Sequence, residues 1–586
     1  MGAPGSPAGP RCVRRCGGIG LFGSGMQVLV WSHFPQIASI GIKSNVNYCE
    51  MGCTRTRPFP TISGMISKSS LSRIGQMLSE SRVPQSPVLK TEDSRPEGML
   101  RKKAILSWAS CNSAWQMLAL VWAFPLLAAD QGPQVATGPT TSKPNIIFIL
   151  ADDLGYGDLG CYGQTKIKTP SLDKLASEGM RFTDFYAGST VCAPSRCALM
   201  TGLHTGHAWI RGNGHQALRA GDVTVAELLK QAGYHTGLIG KWGLGNENTS
   251  GVPQRKGFDE FAGYLDQVHA HDYYTSYLWR YDPRTGFDGQ QMLYENLAGK
   301  KGLYTHDMFA TAALNFVRIN KPDSSNKYHP FFLYLAYTIP HANNEEGSRS
   351  GNGMQVPTDA PYSSEPWPQT EKNKAAMITR LDSDVGRLID KLKELRIDDS
   401  TIIFFSSDNG PHNEGGVDPK FFQSSGSLRG IKRDLYEGGI RVPLIVRWPG
   451  KIKASQVNPE PWAFWDFLPT AAALGGAETP TKIDGISMVP ALLGQTSTNR
   501  HESLYWEFHE RGFQQGIRAG DWKAVRPQAD EPLELYDLKT DLGEKKNVAG
   551  EHPEVVAQME RLMKGARTDA PEWPIKKPQE TAKKGS

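Results

Sequence analysis

The chain has 586 residues, 39% of them hydrophobic and 21% charged, and a formal net charge of +5. That length allows roughly three to four domains at ~150 residues each. Part of the small positive excess sits in a basic leader, so it is no footprint of nucleic-acid binding, and no nucleic-acid partner is expected.

Residues 1–98 are rich in Gly, Pro, Ser and Arg and show no sustained helical or strand period. Two Cys-x3-Cys pairs, Cys12/Cys16 and Cys49/Cys53, lack the further His or Cys pattern that completes a zinc site. From Met99 the text changes. Arg101-Lys102-Lys103 precede an apolar run from Met117 to Leu127 and then Ala128-Ala129, the order of a secretory signal peptide over residues 99–129. The apolar stretch is shorter than the ~20 residues that span a bilayer. Cleavage near Ala129, a periplasmic or secreted protein and no stable membrane span are therefore expected. A signal peptide belongs at an N-terminus, so residues 1–98 read as an over-extended start, or else as a long natural leader. Of the remaining cysteines, Cys161 and Cys197 either pair in an oxidising compartment or stay as small buried thiols.

The folded text begins at residue 144. Pro144 to Ala151 is a continuous apolar, β-branched run, the pattern of a strand buried on both faces. Thr169 to Gly179 reads as a helix with an early Pro and a Gly near its stop. Helix at 223–230 and strand at 234–240 follow, then helix at 306–319 and strand at 331–337. A long polar loop is expected from Asn343 to Gln369, an amphipathic helix over 373–395, and strands at 401–406 and 442–447. Strands alternating with helices predict an α/β fold, a large mixed, mostly parallel sheet flanked by helices. This catalytic domain spans 144–484. Over 485–575 the texture becomes short alternating strands (503–508, 516–518, 522–526) with one closing helix at 552–565, a smaller antiparallel sheet. Residues 576–586 read as a flexible tail.

Ligands in such sheets bind beyond the carboxyl ends of the strands. Asp152-Asp153 follow one buried strand and Asp408-Asn409-Gly410 another. Each pair alone is equally a turn or a helix cap. Together, three carboxylates and an amide offer an all-oxygen site for a hard cation, Ca²⁺ by preference and Mg²⁺ as the runner-up.

The run Thr190-Val191-Cys192-Ala193-Pro194-Ser195-Arg196-Cys197-Ala198-Leu199-Met200-Thr201-Gly202 carries the C-x-P-S-R…T-G pattern. With the two acidic motifs in this order, residues from about 144 onward resemble type I sulfatases of the alkaline phosphatase superfamily, of the arylsulfatase A and N-acetylgalactosamine-6-sulfatase type. The resemblance implies that Cys192 is oxidised by a formylglycine-generating enzyme to an aldehyde. Its hydrate joins Asp152, Asp153, Asp408 and Asn409 on the metal and attacks sulfur. A second hydroxyl then expels sulfate. Pro194 and Arg196 belong to the modification signal, and Arg196 also steadies the hydroxyl. Gly240-Lys241-Trp242-Gly243-Leu244-Gly245 resembles the family's G-K-W-H-L-G segment, with Lys241 retained for sulfate and Gly243 in place of the usual His. That His takes the proton released when sulfate leaves, so another base is needed, with His207 or His215 as candidates. Tyr337 to His341 resembles the P-H segment, whose His protonates the leaving alcohol. Leu428 to Pro443 resembles the R-G-x-K…E-G-G-x-R-x-P segment, in which Lys432 contacts sulfate; Arg433 is expected on a solvated face. His207, Arg211 and His271 lie in His- and aromatic-rich stretches, 201–213 and the loop 269–281, that suit a sugar, or else are ordinary loop packing. The expected substrate is a sulfated carbohydrate or aryl sulfate. The rivals are a phosphomonoester or phosphonate hydrolase and a non-catalytic glycan-binding pseudo-sulfatase.

Overall fold

The computed structural model describes residues 143–575 apart from 497. The readings for the leader, the signal peptide and the tail lie outside the described residues. None of the described helices is long and apolar enough to cross a membrane.

The strands are β1 (Asn145–Ala151), β2 (Met180–Phe182), β3 (Phe185–Tyr186), β4 (His235–Lys241), β5 (Glu260–Tyr264), β6 (Tyr277–Asp282), β7 (Phe287–Met292), β8 (Phe331–Ala336), β9 (Thr401–Ser407), β10 (Leu444–Arg447), β11 (Gln456–Asn458), β12 (Trp462–Ala463), β13 (Leu504–Phe508), β14 (Gln514–Ala519), β15 (Trp522–Arg526) and β16 (Glu534–Asp537). The helices are α1 (Pro170–Ser177), α2 (Cys192–Thr201), α3 (Val225–Gln231), α4 (Thr305–Ile319), α5 (Asn344–Ser350), α6 (Gln369–Glu394), α7 (Glu437–Ile440), α8 (Phe467–Gly475), α9 (Val489–Leu492) and α10 (Pro553–Gly565).

Ten strands form one sheet in the order β11-β2-β10-β9-β1-β8-β4-β5-β6-β7. The central run β9-β1-β8-β4 is mutually parallel, whereas β10 is antiparallel to β9, and β6 and β7 turn back beyond β5. The sheet is thus mixed and mostly parallel at its centre, as the strand and helix alternation predicts. Successive residues of β1 serve opposite cores. Ile146, Phe148 and Leu150 pack with α2, α3 and α8, and Ile147, Ile149 and Ala151 with α1, α4 and α6. A large aliphatic side chain fully buried in this way contributes about 1.5–3 kcal/mol.

A four-stranded antiparallel sheet, β13-β14-β15-β16, carries α10 on one face. Its other face buries Leu504, Trp506, Phe508 and Val525 against Tyr186, Val191, Leu435 and Trp465.

Several local expectations are corrected. The loop 343–369 contains α5, capped by the Asn343 side chain on the Glu346 N–H. Tyr277 to Tyr281 lie in strand β6 rather than a loop. The long helix starts at Gln369, four residues earlier, after Pro368. Cys161 and Cys197 are free thiols, and burial pushes each up to about 12. Cys197 is fully buried in α2, where it behaves as a small apolar side chain.

Candidate active site

Because β9, β1, β8 and β4 are adjacent and parallel, their carboxyl ends emerge on one edge. That edge receives Asp152-Asp153 from β1, Asp408-Asn409 from β9, Lys241 from β4 and, after a short turn, His341 from β8. Cys192 opens α2, and Arg196 follows one turn later on the same helix face.

The contacts are specific. Cys192 Sγ lies 3.6 Å from Asp152 Oδ1. Lys241 Nζ donates to Asp152 Oδ2 at 2.7 Å. Arg196 donates through Nε and Nη2 to Asp408 Oδ2 (3.1 and 2.8 Å) and through Nη1 to the Lys241 carbonyl (2.8 Å). Lys432 Nζ donates to Asp153 Oδ2 at 2.8 Å and lies 3.1 Å from His341 Nε2. Asp153 has φ +64°, a left-handed conformation that Asp tolerates better than most residues. Its N–H donates to Asp408 Oδ1, and its Oδ1 accepts from Asn409 Nδ2 at 2.7 Å.

The electrostatics follow from burial. Asp152, Asp153, Asp408 and Asn409 are all 0% exposed. Burial opposes ionisation of Asp152 most strongly, yet Lys241 and Arg196 hold it well below the usual carboxylate range. Burial, then the Asp152 carboxylate beside it, push Asp408 up to about 7. Burial and then the Lys432 ammonium hold His341 well below the usual imidazole range. Asn409 Oδ1 is buried and accepts no hydrogen bond. Three carboxyl groups and an unpartnered amide oxygen, all shielded from water, are the donor set that a hard divalent cation takes. His341 clusters with Asp152, Asp153 and Cys192, but its Nε2 faces the Lys432 ammonium, which suits proton transfer rather than ligation.

His341 is held by its surroundings. Its Nδ1 lies 2.6 Å from the Ala342 carbonyl, so Nδ1 carries a proton and Nε2 is the nitrogen that points into the site. The Tyr273 hydroxyl donates to the His341 carbonyl at 2.6 Å. His271 stacks on the ring with centroids 4.8 Å apart.

Cys192, Arg196, Lys241, His341, Lys432 and the four oxygen-bearing residues are therefore brought together, with His271 beside them. Two predicted substrate contacts are not. Arg211 is 3% exposed and donates to Glu507 Oε1, the Ala208 carbonyl and the Thr568 carbonyl, which makes it a tie between α2's following loop and the C-terminal region. His207 pairs with Asp484 at 2.8 Å and stacks on His204, just beyond the far end of α2. A ten-residue helix is about 15 Å long, so His207 does not replace the base missing at 243. Nor does this His-Asp-His cluster suit a metal. His204 Nδ1 accepts the Gly206 N–H, which leaves its proton on Nε2, the nitrogen facing Asp484. His215 is exposed on the loop beyond Asn213. Arg433 is not on a solvated face but pairs with Glu414 at 2.6 Å and with Glu510.

Sequence reasoning missed four residues. Glu414 Oε2 lies 3.3 Å from Lys432 Nζ; burial opposes its ionisation, but Lys432 holds it down at about 2. Asn213 Oδ1 accepts the Ala193 N–H at the start of α2. Glu345 faces His271 at 3.1 Å. Gln267 fills the space beside Gly243, where a Cβ would meet its Nε2 at 2.0 Å. Glu414, four residues after Gly410, and Asn213, inside the stretch 201–213, stood close enough to quoted motifs to be found.

Parallel strands whose ends gather buried carboxylates, two lysines and a proton-carrying histidine make a site suited to hydrolysis of anionic esters, with a donor set that fits a hard cation. The comparisons with known proteins narrow this. Residues 144–477 match the family Sulfatase, and residues 431–569 match N-sulphoglucosamine sulphohydrolase, C-terminal. The chain is 30% identical over 520 residues to the N-acetylgalactosamine-6-O-sulfatase of Bacteroides thetaiotaomicron, covering 76% of this chain and 97% of that one. It is 33% identical over 502 residues to the arylsulfatase A of Homo sapiens, covering 75% and 89%. Among solved structures, Ps i-CgsB in complex with k-i-k-neocarrahexaose superposes with a TM-score of 0.61 at 30% identity, over 75% of this chain and 96% of that one. The chain belongs to the sulfatase family, as a type I sulfatase on an alkaline-phosphatase-like fold.

Proposed function

We propose that the protein is an exported hydrolase that removes sulfate from sulfated glycans, using formylglycine made from Cys192 by a formylglycine-generating enzyme, with a bound Ca²⁺ or, as second choice, Mg²⁺. The observation that carries the reading is the convergence of Cys192, two buried lysines and His341 on one buried carboxylate cluster.

Asp152, Asp153, Asp408 and Asn409 would hold the cation, and the residue derived from Cys192 would join them. When bound, the cation offsets negative charge on the sulfuryl oxygens, and the hydrated aldehyde supplies the attacking hydroxyl. Lys241 and Lys432 place ammonium groups on either side of Cys192's carboxylate neighbours, where they bind sulfate oxygens and stabilise charge that develops on them. Arg196, fixed by Asp408 and the Lys241 carbonyl, holds the start of α2 against the carboxylates. His341 presents Nε2 to the ester oxygen and, after taking up a second proton at that nitrogen, delivers it to the departing alcohol.

A glycan substrate is supported by relatives named for N-acetylgalactosamine-6-sulfate release and by the neocarrahexaose on Ps i-CgsB. An open cavity of about 550 Å³ flanks α5, lined among others by Tyr274, Lys301, Glu346, Asn352 and Gln355. It offers an aromatic ring with polar partners close to His271.

The test has two parts. Peptide mass spectrometry across Cys192 reads its conversion, and turnover of nitrophenyl sulfate is compared with that of nitrophenyl phosphate. Conversion with preferred sulfate turnover, abolished in Cys192→Ala, is expected. Preferred phosphate turnover makes it a phosphomonoester hydrolase. Glycan binding with no turnover by converted protein makes it a binding protein.

A further inference from the structure

Position 243, where the matching family segment has a histidine, is a glycine in a conformation that strains any other residue. Gly243 has φ +77°, and the adjoining space holds the Gln267 amide. A group that can carry the missing proton must come from elsewhere, and one histidine is placed to do so. His271 ends a short 3-10 turn (His269–His271). Its ring lies 4.8 Å from the His341 ring and within 15° of parallel to it. Its Nδ1 is 3.1 and 3.3 Å from the two Glu345 oxygens. With the Nδ1–H donating to that carboxylate, Nε2 carries the lone pair. The side chain is 13% exposed, so it is screened yet reachable. The charged and titratable groups around it are Glu345 from α5, His341 after β8, Lys241 from β4 and Asp152 from β1. His341 Nε2, in contrast, is already engaged with Lys432 and Asp153.

We propose that His271, aligned by Glu345, is the base that takes up the proton released as sulfate leaves. The assignment rests on the formylglycine reading above. Once one oxygen of the hydrated aldehyde at residue 192 has bonded to sulfur and the alcohol has left, the other hydroxyl gives its proton to His271 Nε2. The electron pair of that O–H bond closes the C=O bond, and the C–O bond to sulfate breaks with its pair on the departing sulfate dianion. Water then adds across the aldehyde to restore the hydrate, and His271 returns its proton to solvent. The two stacked histidines so divide the proton traffic, His341 as acid for the alcohol and His271 as base for sulfate release.

The experiment uses His271→Gln and Glu345→Gln proteins with conversion of Cys192 verified by peptide mass spectrometry, mixed rapidly with nitrophenyl sulfate. For His271→Gln, nitrophenol is released in a burst of one equivalent at close to the parental rate, while steady turnover falls by about 10²–10⁴-fold, the range for a lost general base. The quenched protein carries sulfate on the peptide containing residue 192, read by mass spectrometry independently of turnover. Glu345 is 60% exposed, so Glu345→Gln leaves the fold intact. Removing its negative charge lowers the basicity of His271 and moves the acidic limb of the kcat–pH profile to lower pH. Equal slowing of burst and turnover with no sulfated peptide makes His271 a substrate contact and overturns the assignment. So does parental turnover in His271→Gln, or an unmoved acidic limb in Glu345→Gln. Parental turnover in Cys192→Ala, by contrast, overturns the formylglycine reading itself and this step with it.

Discussion

At the scale of single residues, the proposed reaction separates charge stabilisation from proton delivery. Lys432 donates to Asp153 and sits between Glu414 and His341. Its burial opposes the charged form, but Asp153 and its neighbours raise it above the ordinary lysine range, so it stays an ammonium through the whole working pH. Lys432→Ala is expected to cost about 10²–10³ in kcat, the loss seen when one preorganised donor to a developing anion is removed. Loss of KM alone would show that it binds ground-state sulfate and nothing more. In the proposed reaction His341 works on the alcohol side, so the effect of its removal depends on the leaving group. Nitrophenolate departs without help, whereas a sugar alkoxide needs a proton. His341→Ala is therefore expected to reduce hydrolysis of a sugar sulfate by about 10²–10⁴-fold and nitrophenyl sulfate far less. Equal losses on both substrates would remove His341 from the acid role.

At the scale of elements, the small sheet is tied to the catalytic part by a buried charge cluster. Lys523 on β15 donates to Glu437 at the start of α7 (2.9 Å) and faces Glu544 (3.7 Å), and all three are 0% exposed. Glu437 also accepts from the Tyr186 hydroxyl and Arg441. Lys523→Met leaves Glu544 without the ammonium it faces and Glu437 with Arg441 alone, and should destabilise the fold by about 3–5 kcal/mol, as breaking a buried pair does. The pH dependence has a definite sign. Burial pushes Glu544 from 4.5 up to about 7. Between those values the folded state keeps a proton that the unfolded chain has lost, so stability falls as pH rises through the window. Burial also opposes Glu437, but Lys523 and Arg441 hold it down at about 2, so its contribution is lost as pH falls below about 4.5 toward 2. Thermal unfolding of Glu544→Gln should lose the decline between about 4.5 and 7 seen in the parent; an unchanged decline would place its origin elsewhere.

Elements also show what the sequence could reveal. The runs of β1, β8 and β9 are apolar without interruption because both faces are covered, and such runs are legible. β7 reads FDGQQM with four exposed residues of six, and nothing in that text distinguishes it from a loop. α5 is seven mostly exposed polar residues, too short to show a period, and its contribution, Glu345 on His271, exists only across space. The acidic pairs, Cys192, Lys241, His341 and Lys432 were legible because each sits inside a motif at a strand or helix end. Arg211 and His207 sat in an equally polar stretch, yet their partners Glu507 and Asp484 lie some 280–300 residues away in sequence, beyond the reach of any local pattern.

At the scale of the whole molecule, the proposed cation ligands are contributed by segments far apart in the chain. Asp152 and Asp153 end β1, Asp408 and Asn409 end β9, and Cys192 opens α2. These segments are rooted in both hydrophobic cores, β1 and β9 through alternate residues and α2 through Cys197, Leu199 and Met200. An ion that joins them can bind only when the sheet and α2 are assembled, so binding is coupled to folding of the entire unit. The linkage is quantitative: a ligand at 100 times its Kd, bound by the folded state alone, adds about 2.7 kcal/mol to stability. Addition of Ca²⁺ to chelator-treated protein should therefore raise the thermal midpoint. Mg²⁺ should do so less, since it prefers fewer protein ligands and more water. Asn409→Ala removes an unpartnered buried oxygen from the proposed ligand set while keeping every carboxylate, so it tests that set without altering its charge. Its midpoint without metal should fall, because Asp153 Oδ1 loses the Asn409 Nδ2 donor, and the increment on adding Ca²⁺ should shrink relative to the parent's. An increment as large as the parent's would show that the ion binds through the carboxylates alone, and no increment in either protein would show that this carboxylate cluster is balanced by its lysines and Arg196 without any ion.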